Sequence, residues 1–430
     1  MIAKTWVRSN LAIKMLLSLI FISKISFNKF LPLPHRFSFL VYQGGLHPFL
    51  NILLNFALGF LLFQGLKGQA KLSRLSPFYI IFLSALLIVL FMQSLVFTFV
   101  PGRFGFSFLE LGAVLATFFL IGVFGVVIPQ YLSEEDFVGF LQKWSGYLVV
   151  FSLLALVFLT SEVFKGGRFV GLFKHIPYMV SCANLAFVFS IGELFAPNKS
   201  KNQKWCAFIA VASFFTLLLT GTRSALGSSI FAFAIMLSLY RPLSLNGRFY
   251  KYSGLSLMTS VAVLFFIPIL SYSMAVIKGE RTLGLRAAQN GIESRWEEIE
   301  RGLRIFDESP WLGHGLLSKF GAQSEFDIAH YNSFKDPHNL FISSGVVGGW
   351  PLLLLSIVSI LLFAIACFKK ILRGSHFEQV IGVYLLSHIP ILLIYHAHLS
   401  LGGMADRLYW LAFGFLAAHN RAGASFRGNR

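Results

Sequence analysis

Acidic residues are scarce in this chain: 18 Asp and Glu stand against 36 Lys and Arg among 430 residues, and charged residues of both kinds make up only 13%. So little charge cannot cover a soluble surface, and with 56% hydrophobic residues and 49 Phe a water-soluble globular class is excluded. Cysteine is nearly lacking. Cys182, Cys206 and Cys367 lie far apart in apolar stretches, which excludes a disulfide framework or a Cys-based metal cluster and leaves them as packing residues. A small-residue cleavage site near the first apolar run is also missing, so that run reads as a retained helix.

What the sequence has instead is a series of apolar runs, 15 to 29 residues long and mostly enough to cross a hydrocarbon layer of roughly 30 Å as a helix. They fall at 11–30, 38–63, 77–99, 107–128, 143–161, 175–192, 204–221, 225–240, 254–277, 339–367, 378–395 and 405–419. Lipid cannot satisfy open backbone groups, and the runs are too long and uniform for barrel strands. The expected fold is all-α and polytopic, with about twelve crossings. Two places are soft. Lys14, Lys24 and Lys29 interrupt the first run, and Gly221-Thr222-Arg223 reads equally as an external turn or as a break inside one helix.

Charge sorts the loops, because short cytoplasmic loops collect Lys and Arg. With the N-terminus inside, inner segments hold Lys4 and Arg8; Lys67, Lys71 and Arg74; Lys199, Lys201 and Lys204; Arg241, Arg248 and Lys251; Lys369, Lys370 and Arg373; and Arg421, Arg427 and Arg430. Two segments run against the pattern: Glu134, Glu135 and Asp136 in an inner loop, and Lys165 and Arg168 in an outer one. The basic excess is therefore topological. It is spread through short loops rather than gathered in one stripe, which argues against nucleic-acid binding.

Outside falls a polar island at 278–338, holding 10 of the 18 acidic and 8 of the 36 basic residues. It divides the chain into an N-terminal membrane bundle at 1–277, an extracytoplasmic loop at 278–338, and C-terminal membrane helices with a basic tail at 339–430. Within it, Trp296, Ile299, Leu303 and Phe306 recur at helical spacing over 294–306. Ser294 and Glu297 have capping-box spacing, and Pro310 predicts an end soon after Phe306. The plain reading is an interfacial helix in contact with headgroups.

Several cations gather at this face: Arg223 at a helix end, Arg281 and Arg286 just after the ninth run, Arg295 in the amphipathic segment, and His338 where the tenth run begins. Guanidinium groups hold phosphate or pyrophosphate by bidentate charged hydrogen bonds. Taken singly, each arginine is equally explained by snorkelling or surface pairing. His338 supplies an imidazole, the side-chain type suited to taking a proton from a hydroxyl or stabilising a departing phosphate. His330, His396 and His398 add no metal-ligand spacing, so neither a metal nor another cofactor is expected.

In order and spacing, Thr222-Arg223-Ser224, Ser294-Arg295-Trp296, the tract Asp307 to Gly315, and Pro337-His338-Asn339 leading to Gly345 and Gly348 resemble the O-antigen ligase and polymerase superfamily of bacterial membrane proteins. The resemblance covers mainly 205–365, and Gly313-His314-Gly315-Leu316 departs from the commoner Gly-Leu-Gly form. It implies a metal-independent glycosyltransferase of the bacterial inner membrane. The donor would be a glycan on undecaprenyl pyrophosphate and the acceptor a hydroxyl on lipid A-core, another lipid-linked glycan or a protein. By motif, Arg223 and Arg295 match the family's functional arginines and His338 its loop-terminal histidine, while Arg281 and Arg286 match less securely. A polymerase that elongates lipid-linked glycan is the alternative. A transporter is the non-enzyme alternative, but the sequence has neither a clear internal repeat nor paired broken helices.

Overall fold

The computed structural model describes residues 2–26, 41–42, 45–46, 48–66, 75–98, 104–159, 162–165, 168–173, 175–196, 203–239, 292–315, 339–394 and 404–418. It is an all-α polytopic membrane protein. The helices are α1 (Ile2–Ile22), α2 (Pro48–Leu66), α3 (Pro77–Thr98), α4 (Phe104–Ile121), α5 (Ile128–Tyr131), α6 (Glu134–Phe158), α7 (Ile176–Leu194), α8 (Gln203–Thr220) and α9 (Arg223–Leu239). They continue with α10 (Ile292–Glu308), α11 (Leu340–Arg373), α12 (His376–Ile394) and α13 (Met404–Ala417). Two short antiparallel hairpins join them: β1 (Val41–Tyr42) with β2 (Gly45–Leu46), and β3 (Phe164–Lys165) with β4 (Arg168–Phe169).

Among the described residues six helices are long and apolar enough to cross a membrane: Pro77–Val96, Leu111–Tyr131, Glu134–Phe158, Ile176–Leu194, Gln203–Thr220 and Leu340–Arg373. Shorter apolar helices cover Leu11–Ile22, Leu53–Phe63, Ser224–Leu239 and Arg407–Ala417. The expected run at 254–277 lies outside the described residues.

One boundary moves for a clear reason. The fifth span, expected from 143, starts at Glu134, because Ser133 caps the helix by accepting from Asp136 N (3.0 Å). Glu134, Glu135 and Asp136 form its first turn, where negative charge meets the positive end of the helix dipole. The acidic exception in the charge pattern is thus a helix start.

Contacts between helix ends sort the bundle into two faces. Ser26 N donates to Leu172 O (2.8 Å), and Ile25 bridges Phe173, so the end of α1 meets the start of α7. On the opposite face Ser76 N donates to Ala417 O (2.8 Å), and Leu75 bridges Ala418. Chain direction then places the α8–α9 junction, the segment after α10 and the start of α11 on the Phe173 face. The Lys370–Glu378 ion pair between α11 and α12 lies on the other.

Chain direction also resolves the ambiguity at 221–223. Ser229 Oγ of α9 donates to Asn184 Oδ1 of α7 (2.8 Å), and Phe233 lies 6.4 Å from Phe195 at the far end of α7. The two contacts descend along α7, so the chain reverses at Gly221-Thr222 and runs back into the bundle. The segment is a turn.

The last helix is the centre of the core. From Arg407 to Ala418 every residue of α13 and the position after it is buried, with Gly414 packed against Gly125. Its Tyr409 stacks on Phe363 of α11 (4.8 Å), Phe413 meets the same ring edge-on (5.2 Å), and Phe415 stacks on Phe137 of α6 (4.4 Å). Between α4 and α5 the chain widens into a π-helical segment, Gly122–Val127. Such a bulge releases carbonyls from the regular ladder, and Gly125 O accepts from Tyr79 Oη (3.2 Å). Cys182, Cys206 and Cys367 are free and buried.

At the α13–π crossing a Cβ on Gly414 would strike Gly125 O and approach Pro129 Cγ to 2.7 Å. Gly414→Val is expected to destabilise the protein by about 1–3 kcal/mol through overpacking. A lowered thermal unfolding midpoint in detergent would register this, and an unchanged midpoint would contradict the crossing.

Candidate functional site

Two constructions on the Phe173 face build the site's frame. The first is the reversal between α8 and α9. Gly221 takes the left-handed conformation (φ 61°), and its N–H closes the turn on Leu218 O (3.0 Å). Thr220 and Thr222 on either side are buried. Thr222 N donates to Thr220 Oγ1 (3.4 Å), and Thr222 O accepts from Leu226 N (3.1 Å), opening α9 one residue before Arg223.

Arg168, at the start of β4, holds this turn from outside. Its Nε donates to Thr220 O (2.8 Å) and its Nη2 to Thr222 Oγ1 (2.6 Å). A guanidinium on the last carbonyl of α8 satisfies an orphan acceptor and meets the negative end of the helix dipole. The hairpin that carries it is rooted in the core: Val163, Phe169, Val170 and Phe173 have no exposed surface, and Leu172 N donates to Ser152 Oγ (3.2 Å).

The second construction is a helix break filled by a loop. Within α11, Gly348 and Gly349 leave helical geometry, and Pro351 follows without an N–H to give. The break opens the backbone groups of residues 346–350, which in a membrane interior cost several kcal/mol each if left unpaired. The segment after α10 supplies partners. His314 N donates to Val346 O (2.8 Å), Gly315 N to Val347 O (2.9 Å), and Trp350 N donates back to Pro310 O (2.7 Å). Gln93 Nε2, from α3, donates to both Leu312 O and Val347 O and ties the loop to the bundle.

Two glycines are required by this docking. Gly313 and Gly349 have φ of 65° and 61°. A Cβ on Gly349 would fall 2.5 Å from Pro310 O, and one on Gly313 would fall 2.5 Å from Gly348 N. His314, the departure from Gly-Leu-Gly, is buried with Nε2 2.8 Å from Ile305 O, at the C-terminal end of α10. The histidine therefore joins the loop to the helix before it and leaves the loop's docking in place.

α10 packs on α11 through Ile305 and Phe306 against Val346 and Ile342, and Phe306 meets the Trp350 ring edge-on at 5.1 Å. The sequence had placed Leu303 on this apolar face, but it is 45% exposed, and Gly302 and Ile305 face inward instead. The contact surface is rotated because α11 offers a small-residue groove, and the exposed apolar side remains for lipid. The capping box also shifts. α10 begins at Ile292, so Ser294 lies within its first turn, while the end at Glu308 agrees with Pro310 as a stop. Asn339 Oδ1 accepts from Phe341 N (3.0 Å) and Ile342 N (3.2 Å), fixing the start of α11.

Of the residues singled out from sequence, Arg223 is the first residue of α9 and Arg295 lies in the first turn of α10; only their backbones are described. Arg281, Arg286 and His338 lie outside the described residues, as do His330, His396 and His398. The structure brings together the helix of Arg295 and the helix that follows His338. It connects α9 to them through α12, which packs on both α9 and α11. Among the described residues no group of three or more His, Cys, Asp or Glu could hold a metal ion.

Sequence reasoning passed over Arg168, Gln93 and Arg407. Arg168 had registered only as a basic residue in an outer loop, and Gln93 is a lone polar residue in an apolar run. Arg407 is 2% exposed, with Nη2 3.3 Å from Asn51 Oδ1 and its guanidinium 5.8 Å from the Phe124 ring. An arginine buried among membrane helices is itself a signal that could have been read.

Gly313→Ala places a methyl against the α11 backbone at a positive φ and is expected to cost about 1–3 kcal/mol of local stability. Hydrogen exchange at the amides of His314, Gly315 and Trp350 should accelerate, with amides in α7 unchanged. Unaltered exchange at the three would refute the docking.

A family model described as O-antigen ligase matches residues 208–357, from within α8 through α9 and α10 to the part of α11 beyond its break. No curated protein matches the chain. The matched stretch contains both constructions, the turn before Arg223 and the broken helix with its docked loop, and over those residues the chain is similar to the O-antigen ligase family.

Proposed function

We propose that the protein transfers a glycan from undecaprenyl pyrophosphate to a hydroxyl of lipid A-core at the outer face of the bacterial inner membrane. Ligase-type glycosyl transfer is the activity that the similarity over residues 208–357 supports. The donor, the acceptor and the sidedness are our own reading. In it the chain crosses the membrane about twelve times, the Phe173 face is periplasmic, and residues 278–338 cover the sugar-phosphate junction. The observation that carries this is the position of the matched segment: its α8–α9 turn and its docked loop open on one face of a multi-pass bundle.

The chemistry follows from residue type. Breaking the bond between the anomeric carbon and the pyrophosphate leaves negative charge on the departing oxygen. Arg223 and Arg295, joined by Arg281 and Arg286, grip the pyrophosphate and offset that charge as it develops. His338 orients or deprotonates the acceptor hydroxyl. The helices bordering the island supply an apolar groove for the polyprenyl chain, and no metal or other cofactor takes part.

The test is the purified protein in lipid with an undecaprenyl-pyrophosphate glycan and lipid A-core, with products resolved by mass. Glycan-capped core is the expected product, whereas elongated lipid-linked glycan makes the chain a polymerase. Arg223→Ala and His338→Ala should each lower kcat/KM by about a hundredfold or more, the size seen when one transition-state donor or general base is lost. A well-folded variant with wild-type transfer would remove that residue from the mechanism.

A further inference from the structure

We infer that Arg168 is a positioning residue for the transfer reaction: it fixes the turn that starts α9 and hence the point from which Arg223 reaches the donor. This rests on the assignment of Arg223 to the donor's pyrophosphate.

Arg168 spans the reversal, bonding the residue before Gly221 through Nε (2.8 Å) and the residue after it through Nη2 (2.6 Å). A two-residue reversal between helices has few bonds of its own. Here the internal ones are Gly221 N to Leu218 O (3.0 Å) and the long Thr222 N to Thr220 Oγ1 contact (3.4 Å). The planar fork adds two directed bonds across the bend, which a single ammonium cannot reproduce.

The strap that presents Arg168 is itself immobilised. It is held at Ser26 N to Leu172 O (2.8 Å), at Leu172 N to Ser152 Oγ (3.2 Å), and by buried Phe169 and Phe173. Position is thereby relayed from α1 and α6 to the first residue of α9. A basic residue on the face where the charge rule places few is then accounted for by the acceptors it serves. Arg168 need not touch the donor.

The experiment uses the full chain in lipid, with Arg168→Gln, Arg168→Lys, Arg223→Ala and the Arg168→Gln/Arg223→Ala double variant. Hydrogen exchange is read at residues 221–226, and kcat and KM are measured with an undecaprenyl-pyrophosphate glycan. Arg168→Gln should speed exchange at 221–226, leave α11 unchanged and lower kcat/KM on the order of tenfold to a hundredfold, the scale of a displacement of about 1 Å. Arg168→Lys should lie between it and the wild type, and serves if Arg168→Gln does not fold. Added to Arg223→Ala, Arg168→Gln should cost nothing more, since it acts through a side chain already removed.

Unchanged exchange at 221–226, or losses that multiply in the double variant, would overturn the inference. If Arg223→Ala transfers normally, the pyrophosphate assignment fails on its own. Exchange at 221–226 then decides alone whether Arg168 holds the turn, with faster exchange upholding it and wild-type exchange overturning it.

Discussion

The constraint on which the site's frame depends is backbone satisfaction at the break in α11. Gly348, Gly349 and Pro351 interrupt the ladder, and a membrane interior offers no water to the carbonyls and N–H groups released. The chain answers with its own backbone: Pro310, His314 and Gly315 exchange hydrogen bonds with Trp350, Val346 and Val347, and Gln93 closes the arrangement from α3. A segment that would otherwise lie loose at the membrane surface becomes part of the bundle. α10 is thereby fixed at its C-terminal end, with His314 reaching back to Ile305.

The α8–α9 reversal obeys the same rule with side chains. Thr220 O would be an orphan at a helix end, and Arg168 supplies a charged donor for it and a second donor for the Thr222 hydroxyl. Both constructions lie within or against the segment matched by the O-antigen ligase family model, and the turn sets the start of the helix whose first residue is Arg223. Polar ties deeper in the bundle, Gln142 to Ser190 and Ser229 to Asn184, connect α6, α7 and α9 beneath them. Rigid helices carry the frame, so the precision of the face comes from the bundle below it.

Legibility in the sequence was uneven, for physical reasons that differ by residue. Hydropathy located the six long spans of the described residues because each must match the lipid thickness by itself, and it erred at Glu134, where a capped first turn tolerates three acids. The order of arginines, glycines and His338 pointed to the family. Gly313, named there as part of a motif, takes the left-handed conformation that docking against Gly348 requires. Arg168 and Gln93 were illegible because their partners are carbonyl oxygens distant in sequence, at Thr220, Leu312 and Val347, and a main-chain acceptor leaves no mark in residue type. Leu303 was misplaced because helical spacing gives an apolar stripe but not which part of it the neighbouring helix covers.

By itself the sequence determined that this is a helical membrane protein, where most of its helices lie, and which reaction class its motifs resemble. These follow from local composition: burial in lipid is demanded of each run separately, and motif spacing is a property of the chain alone. Only the tertiary structure decided that the chain reverses at Gly221, that the 310–315 tract fills a broken helix, and that Arg168 and Gln93 hold the two constructions. Those outcomes depend on which orphaned backbone group meets which distant donor, and that meeting is settled only when the helices pack.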